Sequence, residues 1–258
     1  MDILQKNDEF YKRFKGKKGY FGNALSGKPL FFYLIEKSSY PTVIVQYAIH
    51  AREYITSLLA LRQIERFEKY GKAGRIFFIP LMNPDGVEIC LTKNPLYKAN
   101  GRGVDLNVNF DARWASGNSN TFICGSENFV GESPFSEPES LALKNFTLCV
   151  KPDITISYHS KGNEIYWEFY QDEKLKARDY AFAKCVSDTT GYALKTAYGS
   201  AGGYKDWCIE KLKITALTIE VGNDCFTHPL GETHLDKIYE ENELVLERLT
   251  ELYNERNK

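Results

Sequence analysis

Short apolar segments that alternate with helical patterns constrain the fold of this chain most. The strongest are TVIVQYAI at 42–49, RIFFIPLM at 75–82 and ITALTIEV at 214–221, and weaker ones are LFFYLI at 30–35 and DITISY at 153–158. Runs of this length that are apolar at nearly every position are typical of strands buried on both faces of a sheet. The segments therefore predict a sheet that other elements must cover on both sides.

Helical patterns lie between these strands. Residues 53–70 carry apolar residues at spacings of three and four, and residues 173–190 and 231–253 are also predicted to be helical. Another helix is predicted to start at Ser136 as its N-cap, with Glu139 as the capping-box partner. Strands that alternate with helices predict an α/β/α sandwich with a mixed, mostly parallel central sheet.

The rest of the chain lacks strong periodicity. Residues 1–28 are polar and basic, residues 164–169 are extended, and Asn83–Gly86 (NPDG) is a turn signal that closes the preceding strand. A long irregular stretch follows, roughly 84–135, and a loop of this length inside a compact chain usually carries function. With no repeat, low-complexity tract or linker in the sequence, we expect residues 1–258 to form one domain.

Charge and hydropathy exclude several classes of partner. The 33 Lys and Arg residues nearly cancel the 34 Asp and Glu residues, so no net field favours nucleic acid or a membrane surface. The first residues lack the apolar core of a secretory signal, and no segment approaches the roughly 18 apolar residues of a membrane span. These features lead us to expect a cytoplasmic protein that binds neither membranes nor nucleic acid.

Six cysteines occur without a CxxC pair or a regular framework. Such a pattern favours free thiols in a reducing compartment. A disulfide between Cys124 and Cys225, in two predicted loops, is the alternative.

Three chemically active residues stand at the ends of predicted strands. His50 follows the strand at 42–49, His159 follows the strand at 153–158, and Glu220 lies near the end of the strand at 214–221. In open α/β sheets, ligands collect at the carboxyl ends of the strands. We therefore expect these three side chains to meet at one edge of the sheet.

Spacing adds a fourth residue, because Glu53 stands three positions after His50 at a strand-to-helix turn. Two His and one Glu, with the fourth position left to water, form a known catalytic zinc set. His159 would be the third ligand, supplied by a distant strand. By itself the HxxE pattern also fits a histidine that is only packed and hydrogen-bonded at a strand end.

Six segments resemble, in order, the motifs of the M14 zinc carboxypeptidases, over about residues 20 to 250. They are AIHAREYIT at 48–56, NPDG at 83–86, RGVDLN at 102–107, SYHS at 157–160, YGSAGGYKDW at 198–207 and TIE at 218–220. The resemblance implies an M14 zinc carboxypeptidase fold and a zinc peptidase activity with one Zn²⁺ per chain. It implies that His50, Glu53 and His159 hold the metal, and that Glu220 is the general base and then the general acid.

The same resemblance implies supporting roles for further residues. Asp105 would orient a zinc-bound imidazole, and Arg102 would stabilise the oxyanion. Tyr198 would close over bound substrate on a glycine-rich loop. Arg52 and Asn107 would contact the substrate.

One departure from the family bears on the substrate. Typical members continue Asn-Arg where this chain has Asn107-Val108, so the arginine that clamps a terminal carboxylate is missing. Arg113 is a candidate replacement at a different spacing. The segment 159–167 resembles the HSxGxxIYW signature of bacterial γ-D-glutamyl-diaminopimelate peptidases.

This second resemblance implies a murein peptide as substrate, cut between γ-D-glutamate and meso-diaminopimelate. Lys161, Glu164 and Arg113 would then contact its charged groups. The alternatives are a conventional carboxypeptidase, an amidohydrolase of small acylated amino acids, or a binding protein that retains the scaffold.

Overall fold

An eight-stranded sheet forms the centre of the protein in the computed structural model, which describes residues 2–257. The strands are β1 Lys17–Asn23, β2 Pro29–Glu36, β3 Thr42–Tyr47, β4 Arg75–Ile79, β5 Ile154–His159, β6 Glu164–Tyr166, β7 Ala193–Lys195 and β8 Thr215–Glu220. Their order in the sheet is β1-β2-β4-β3-β5-β8-β6-β7. The central strands β4, β3, β5 and β8 pair in parallel, as do β6 and β7, whereas β1–β2, β2–β4 and β6–β8 pair antiparallel.

Helices accompany this sheet along the chain. They are α1 Ile3–Arg13, α2 Ile55–Tyr70, α3 Pro84–Thr92, α4 Pro138–Val150, α5 Glu173–Thr190, α6 Tyr204–Trp207, α7 Leu235–Asn242 and α8 Val245–Arg256. Short 3₁₀ turns span Ala51–Glu53, Leu106–Val108 and Glu232–His234, and a π-helical turn spans Cys208–Leu212. The predicted α/β architecture with a mixed, mostly parallel sheet is confirmed.

Alternating residues of the central strands enter two separate cores. Val43 and Val45 of β3 pack into a core with Leu59 of α2, whereas Ile44 packs into a second core with Leu143 of α4. Successive side chains of a strand point to opposite faces, so a strand covered on both sides needs apolar residues at every position. This explains why the segment at 42–49 lacks a polar face.

The structure has two elements that the sequence analysis did not predict near the N-terminus. Helix α1 begins with a capping box, in which Asp2 accepts from the N–H of Gln5 and the Gln5 side chain accepts from the N–H of Asp2. Its few apolar residues, such as Phe10, are buried against the sheet side of the molecule. Strand β1 (KKGYFGN) has Tyr20 and Phe21 as its only apolar side chains and has no fully buried position, so its hydrophobic pattern is weak.

Helix α3 also lies in a stretch that was predicted to be irregular. Asn83 is its N-cap and accepts from the N–H of Gly86, and Pro84 occupies the first turn. The NPDG segment thus starts a helix. The N–H groups in the first turn of a helix have no partner within the helix. Proline has no N–H, so it loses no hydrogen bond at this position.

The prediction of Ser136 as the N-cap of α4 is wrong. The helix begins at Pro138, and Glu137 is the N-cap residue without a side-chain capping bond. Glu139 is buried and accepts from the N–H of Leu25 and the side chain of Asn100 instead of closing a capping box. The Glu139 carboxylate bonds to Leu25 and Asn100, which lie in loops far away in sequence, because this end of α4 packs against those loops.

Other boundaries also differ from the predictions: β3 and β4 end two and three residues earlier, and α2 begins two residues later. The final helical region is divided into α7 and α8, with a break at 243–244, and it begins with a 3₁₀ turn at Glu232–His234. Strand β6 ends at Tyr166.

Within the described residues, no helix is both long and apolar enough to span a membrane. All six cysteines belong to these residues and none forms a disulfide, so the alternative pairing of Cys124 with Cys225 is absent.

Candidate metal centre and active site

The carboxyl ends of three neighbouring strands bring the candidate residues together. His50 follows β3 and leads into the 3₁₀ turn at Ala51–Glu53, while His159 is the last residue of β5. Glu220 ends β8 and is the register partner of His159. Residues more than 100 positions apart in the sequence therefore meet at one edge of the sheet.

His50, Glu53 and His159 form a buried group whose candidate ligand atoms all lie within 4.8 Å of one another. The Nδ1 atom of His50 lies 2.8 Å from Oε1 of Glu53, and the Nδ1 atom of His159 lies 3.0 Å from Oε2 of Glu53. The two Nδ1 atoms are 3.2 Å apart. Two imidazole nitrogens and one carboxylate that converge in this way fit the donor set of a catalytic zinc site.

Asp105 fixes the orientation of the His50 ring. Its Oδ1 lies 3.1 Å from Nε2 of His50, and its Oδ2 lies 2.7 Å from Nζ of Lys98. Asp105 also accepts from the N–H of Asn107 in the 3₁₀ turn that follows. An imidazole that donates from Nε2 to a carboxylate presents the lone pair of Nδ1, which is the form that binds a metal.

The charges in this group shift one another's pKa values. Burial opposes ionisation of Glu53, but the adjacent His50 and His159 outweigh it and hold the pKa of Glu53 well below its usual range. Burial likewise opposes the charge on Asp105, and Lys98 and His50 overcome it and lower its pKa. Burial alone would lower the pKa of His50, but the charge of Glu53 and then Asp105 raises it to about 9. The carboxylates are therefore ionised and attract cations.

Glu220 has the opposite electrostatic environment. It is partly exposed on one wall of a cavity, and its pKa is raised well above the usual value, first by burial and then by the charge of Glu53. The cavity has a volume of about 460 Å³, in the range of ~300–1,000 Å³ that is typical of small-ligand sites. The other residues that line it are Asn107, Tyr166, Thr196, Ala197, Tyr198, Ser200, Gly203, Lys205, Asp206 and Thr218.

Tyr198 lies at the mouth of this cavity and is 90% exposed. The flanking loop contains Gly199 and Gly202, both with positive φ, and a side chain at Gly202 would collide with the backbone of Val108. Asn107 lines the cavity and accepts from the N–H of Tyr204 through its Oδ1 atom.

Four cations that the sequence analysis selected are paired elsewhere. Each has a carboxylate partner, and none is among the described residues that line the cavity. The pairs are Arg52–Glu127 at 2.6 Å, Arg102–Glu137 at 3.8 Å, Arg113–Glu210 at 3.1 Å and Lys161–Asp224 at 2.7 Å. The guanidinium of Arg113 also lies over the ring of Tyr170.

Glu164, the remaining predicted substrate contact, is the register partner of Glu220 in the antiparallel β6–β8 pair. It accepts a hydrogen bond from the hydroxyl of Tyr166, which itself lines the cavity. Its charge further raises the pKa of Glu220.

Sequence reasoning missed three charged residues of this region. Lys98 pairs with Asp105 next to the candidate metal group, and Lys205 and Asp206 line the cavity beside Glu220. No local signal identifies Lys98, because its partner is set by tertiary packing. Lys205 and Asp206 stand between two aromatic residues, Tyr204 and Trp207, in the sequence. This pattern indicates buried charges, and buried charges require a partner or a ligand.

Comparison with known proteins decides the family. Residues 17–244 match the sequence profile of the zinc carboxypeptidases, peptidase family M14. The chain belongs to the M14 family of zinc carboxypeptidases. It is 29% identical to γ-D-glutamyl-L-diamino acid endopeptidase 1 of Lysinibacillus sphaericus over 85% of this chain and 63% of that protein. It is also 28% identical to bovine carboxypeptidase O over 91% of this chain and 72% of that protein.

Solved M14-like structures share the fold. Bovine thrombin-activatable fibrinolysis inhibitor superposes with a TM-score of 0.88 at 20% identity, and the match covers 99% of this chain and 98% of that one. The murein-tripeptide amidase MpaA from Escherichia coli O157 superposes with a TM-score of 0.65 at 22% identity, covering 92% of each chain. The chain spans only about 60% of the length of the first curated relatives that it matches.

The M14 family consists of zinc carboxypeptidases, and the described residues of this chain contain a group that could hold one metal ion. Among the described residues, His50, Glu53 and His159 form the group whose ligand atoms lie close enough together to hold a metal ion. Glu220 lies at the adjacent strand end, on the wall of the cavity that a substrate can enter.

Proposed function

We propose that this M14 peptidase hydrolyses murein peptides at the bond between γ-D-glutamate and meso-diaminopimelate. The observation that carries the chemistry is the convergence of His50, Glu53 and His159 next to Glu220 at a polar cavity. The substrate is supported by the name of the Lysinibacillus endopeptidase, which refers to a γ-D-glutamyl-L-diamino acid bond, and by the name of MpaA, which refers to a murein tripeptide. We further propose that residues 1–258 act as one catalytic domain.

The chain's own residues account for the proton transfers. His50, Glu53 and His159 would hold the zinc, which supplies Lewis acidity toward the scissile carbonyl and toward water. Glu220 accepts a proton from the attacking water as the new C–O bond forms. It then donates this proton to the nitrogen of the leaving amine as the C–N bond breaks. The raised pKa of Glu220 favours its protonated form, which is the form that donates in the second step.

Lys98 is the cation best placed to stabilise the negative charge that develops on the substrate oxygen. Its side chain is mostly buried and pairs with Asp105, and its charge acts on both Glu53 and Glu220. Arg102 is half exposed and faces Glu137. We therefore assign the oxyanion role to Lys98, although the sequence analysis had selected Arg102.

The remaining predicted contacts fit the outer part of the site. Tyr198 is free to move over the cavity because its side chain is almost fully exposed. Asn107 presents its amide to the cavity. Arg52, Arg113 and Lys161 would have to exchange their carboxylate partners for substrate groups. One side chain of each pair is exposed to solvent, and ion pairs at the surface are weak, at about 0–1 kcal/mol.

Val108 affects whether the substrate needs a free terminal carboxylate next to the cleaved bond. It stands where typical members have the carboxylate-binding arginine, and its side chain is buried. A valine cannot bind a carboxylate. The enzyme should therefore accept diaminopimelate whose α-carboxyl group continues into a further residue, as in a tetrapeptide.

A muropeptide digest followed by mass spectrometry tests this function. We expect zinc-loaded protein to release L-alanyl-γ-D-glutamate from both the tripeptide and the tetrapeptide, and we expect a chelator and the Glu220→Gln variant to abolish the release. Blocked dipeptides with an ordinary C-terminal residue serve as the comparison. Cleavage of only the dipeptides would show a conventional carboxypeptidase or an amidohydrolase, and no cleavage by the zinc-loaded protein would favour a binding role.

A further inference from the structure

The cavity beside Glu220 contains a buried ion pair that the proposed mechanism does not use. We propose that Lys205 and Asp206 bind a substrate side chain that ends in both an ammonium and a carboxylate group. This is the distal group of meso-diaminopimelate, so the inference rests on the proposed function and names the residues that select its substrate.

The contacts of Lys205 leave part of its hydrogen-bonding capacity unused. Its Nζ lies 2.6 Å from Oδ1 of Asp206 and 3.1 Å from the backbone oxygen of Glu168, and its side chain is only 7% exposed. A lysine ammonium has three N–H donors. With two of them directed at protein oxygens, the third is available to a ligand in the cavity.

Asp206 also keeps acceptor capacity. Its Oδ2 accepts from the N–H of Gly203 at 3.0 Å and its Oδ1 accepts from Lys205, while the side chain is 6% exposed. A carboxylate has about four lone-pair sites. Both partners line the same cavity as Glu220.

The two adjacent charges cancel, and this decides the kind of ligand. A plain carboxylate would gain from Lys205 but would be repelled by Asp206, and a plain ammonium would meet the reverse. A group with both charges can pair with both residues at once. A buried charge is costly unless it is paired. A ligand that carries only an ammonium or only a carboxylate group leaves one of the two residues without a ligand partner and binds less tightly.

The other cavity residues fit a polar ligand. Asn107, Ser200 and Thr218 supply neutral hydrogen-bonding groups, and Tyr166 supplies a hydroxyl. Because Glu220 lies on the wall of the same cavity, a side chain that reaches Lys205 keeps its own backbone near the proton-transfer group. Val108 provides no charge for a terminal carboxylate, so the distal group of the side chain is left as the main ionic anchor.

Binding of matched tripeptides tests the proposal without catalysis. The probes are L-alanyl-γ-D-glutamyl peptides that end in meso-diaminopimelate, L-lysine or L-2-aminopimelate, which share every group except the distal amine or carboxylate. Affinities are measured by calorimetry on the zinc-loaded Glu220→Gln variant of the 258-residue chain. We expect the diaminopimelate peptide to bind at least about tenfold more tightly than either of the others.

Two substitutions then assign the charges. In the Glu220→Gln background, Lys205→Met should remove the preference for diaminopimelate over lysine. Asp206→Asn should remove the preference for diaminopimelate over aminopimelate. Lys176→Met is the control, since Lys176 pairs with the side chain of Glu168 outside the cavity and should change neither preference. Lys205→Arg keeps the cation and should retain most of the preference, which separates lost recognition from lost folding.

The outcomes separate this inference from the proposed function. If aminopimelate or lysine peptides bind as tightly as the diaminopimelate peptide, the inference is wrong, even if wild-type protein cleaves murein peptides. If the preference depends on Lys205 and Asp206 but wild-type protein cleaves no murein peptide, the inference stands and the proposed cleavage fails. If Lys176→Met abolishes the preference as fully as Lys205→Met does, the effect comes from general charge and the assignment is overturned.

Discussion

The two ring nitrogens of His50 have different neighbours, and this difference fixes what the residue can do. Nε2 faces Asp105 and Nδ1 faces Glu53 and His159. Asp105 is held in turn by Lys98 and by the N–H of Asn107. The orientation of one candidate metal ligand thus depends on residues from the loop between α3 and α4.

Replacing Asp105 should weaken zinc binding. We expect Asp105→Asn to lower zinc affinity by about 10–100-fold, because an amide polarises the imidazole less than a carboxylate does. Competition with a chromogenic chelator measures the affinity. Asp111→Asn removes an exposed carboxylate nearby and should leave the affinity unchanged. Equal affinities for Asp105→Asn and wild type would show that the carboxylate does not orient the ligand.

Substitutions of Lys98 and Arg102 should have contrasting effects on catalysis. Lys98→Met should reduce kcat by about 10²–10³-fold, the effect of removing one oxyanion donor, with zinc content kept at one per chain. Arg102→Met should change kcat by less than about threefold, because Arg102 is half exposed and faces Glu137. Steady-state kinetics on the murein tripeptide distinguishes the two. The opposite ranking would return the oxyanion role to Arg102.

At the scale of elements, helix α3 is anchored at its first turn. Asp85 accepts from the backbone N–H of Ser26 and from Lys28, and these contacts join the helix to the turn between β1 and β2. Burial opposes the charge on Asp85, but the hydrogen bonds from Lys28 and Ser26 outweigh it and lower its pKa below 3.8. The negative charge also lies at the positive end of the helix dipole.

Asp85→Asn should therefore destabilise the protein in a pH-dependent way. At neutral pH we expect a loss of about 1–3 kcal/mol in the free energy of unfolding, because buried donors lose a charged acceptor. The folded state holds the Asp85 proton less tightly than the unfolded state does. This contribution is therefore present above the unfolded pKa and disappears as the pH falls through the lower folded pKa.

Urea unfolding at neutral pH and at pH values below 3.8 checks this pattern. Glu88→Gln is the matched control, since Glu88 pairs with the same Lys28 on the surface and should cost less than about 1 kcal/mol. A difference between wild type and Asp85→Asn that grows on acidification would contradict the assignment.

Across the whole molecule, the site depends on the order of strands in the sheet. β3, β5 and β8 are neighbours, although long segments of the chain separate them in sequence. A metal held by His50, Glu53 and His159 would tie β3, the following turn and β5 together at their carboxyl ends. Metal binding is therefore coupled to the stability of the central sheet.

Removing zinc should lower the melting temperature. A ligand present at about 1,000 times its Kd stabilises the folded state by ~4 kcal/mol, and for a chain of this size each kcal/mol shifts Tm by about 2–4 °C. We expect chelation to lower Tm by more than about 5 °C, measured by calorimetry. The His159→Ala variant should show little chelator-dependent change. An equal shift in that variant would place the metal elsewhere.

Local patterns predicted much of the fold and the convergence of His50, Glu53 and His159 near Glu220. The buried strands were recognised from their apolar runs, and the helix at 55–70 was recognised from its spacing, because these signals come from neighbours in sequence. Helix α1 escaped prediction because its polar composition hides a narrow buried face that becomes visible only when it packs. The start of α4 was misplaced because Glu139 bonds to distant Leu25 and Asn100.

The sequence by itself determined which strands would be buried, that His50, His159 and Glu220 stand at or just after strand ends, and that Glu53 lies in the turn after His50. Only the tertiary structure decided which cation accompanies them, placing Lys98 rather than Arg102 against Asp105. It also decided that Lys205 and Asp206 face the cavity beside Glu220. The physical reason is that strand burial is encoded in the periodicity of adjacent residues, whereas the partner of a charge depends on which distant segments the folded chain brings within a few ångströms.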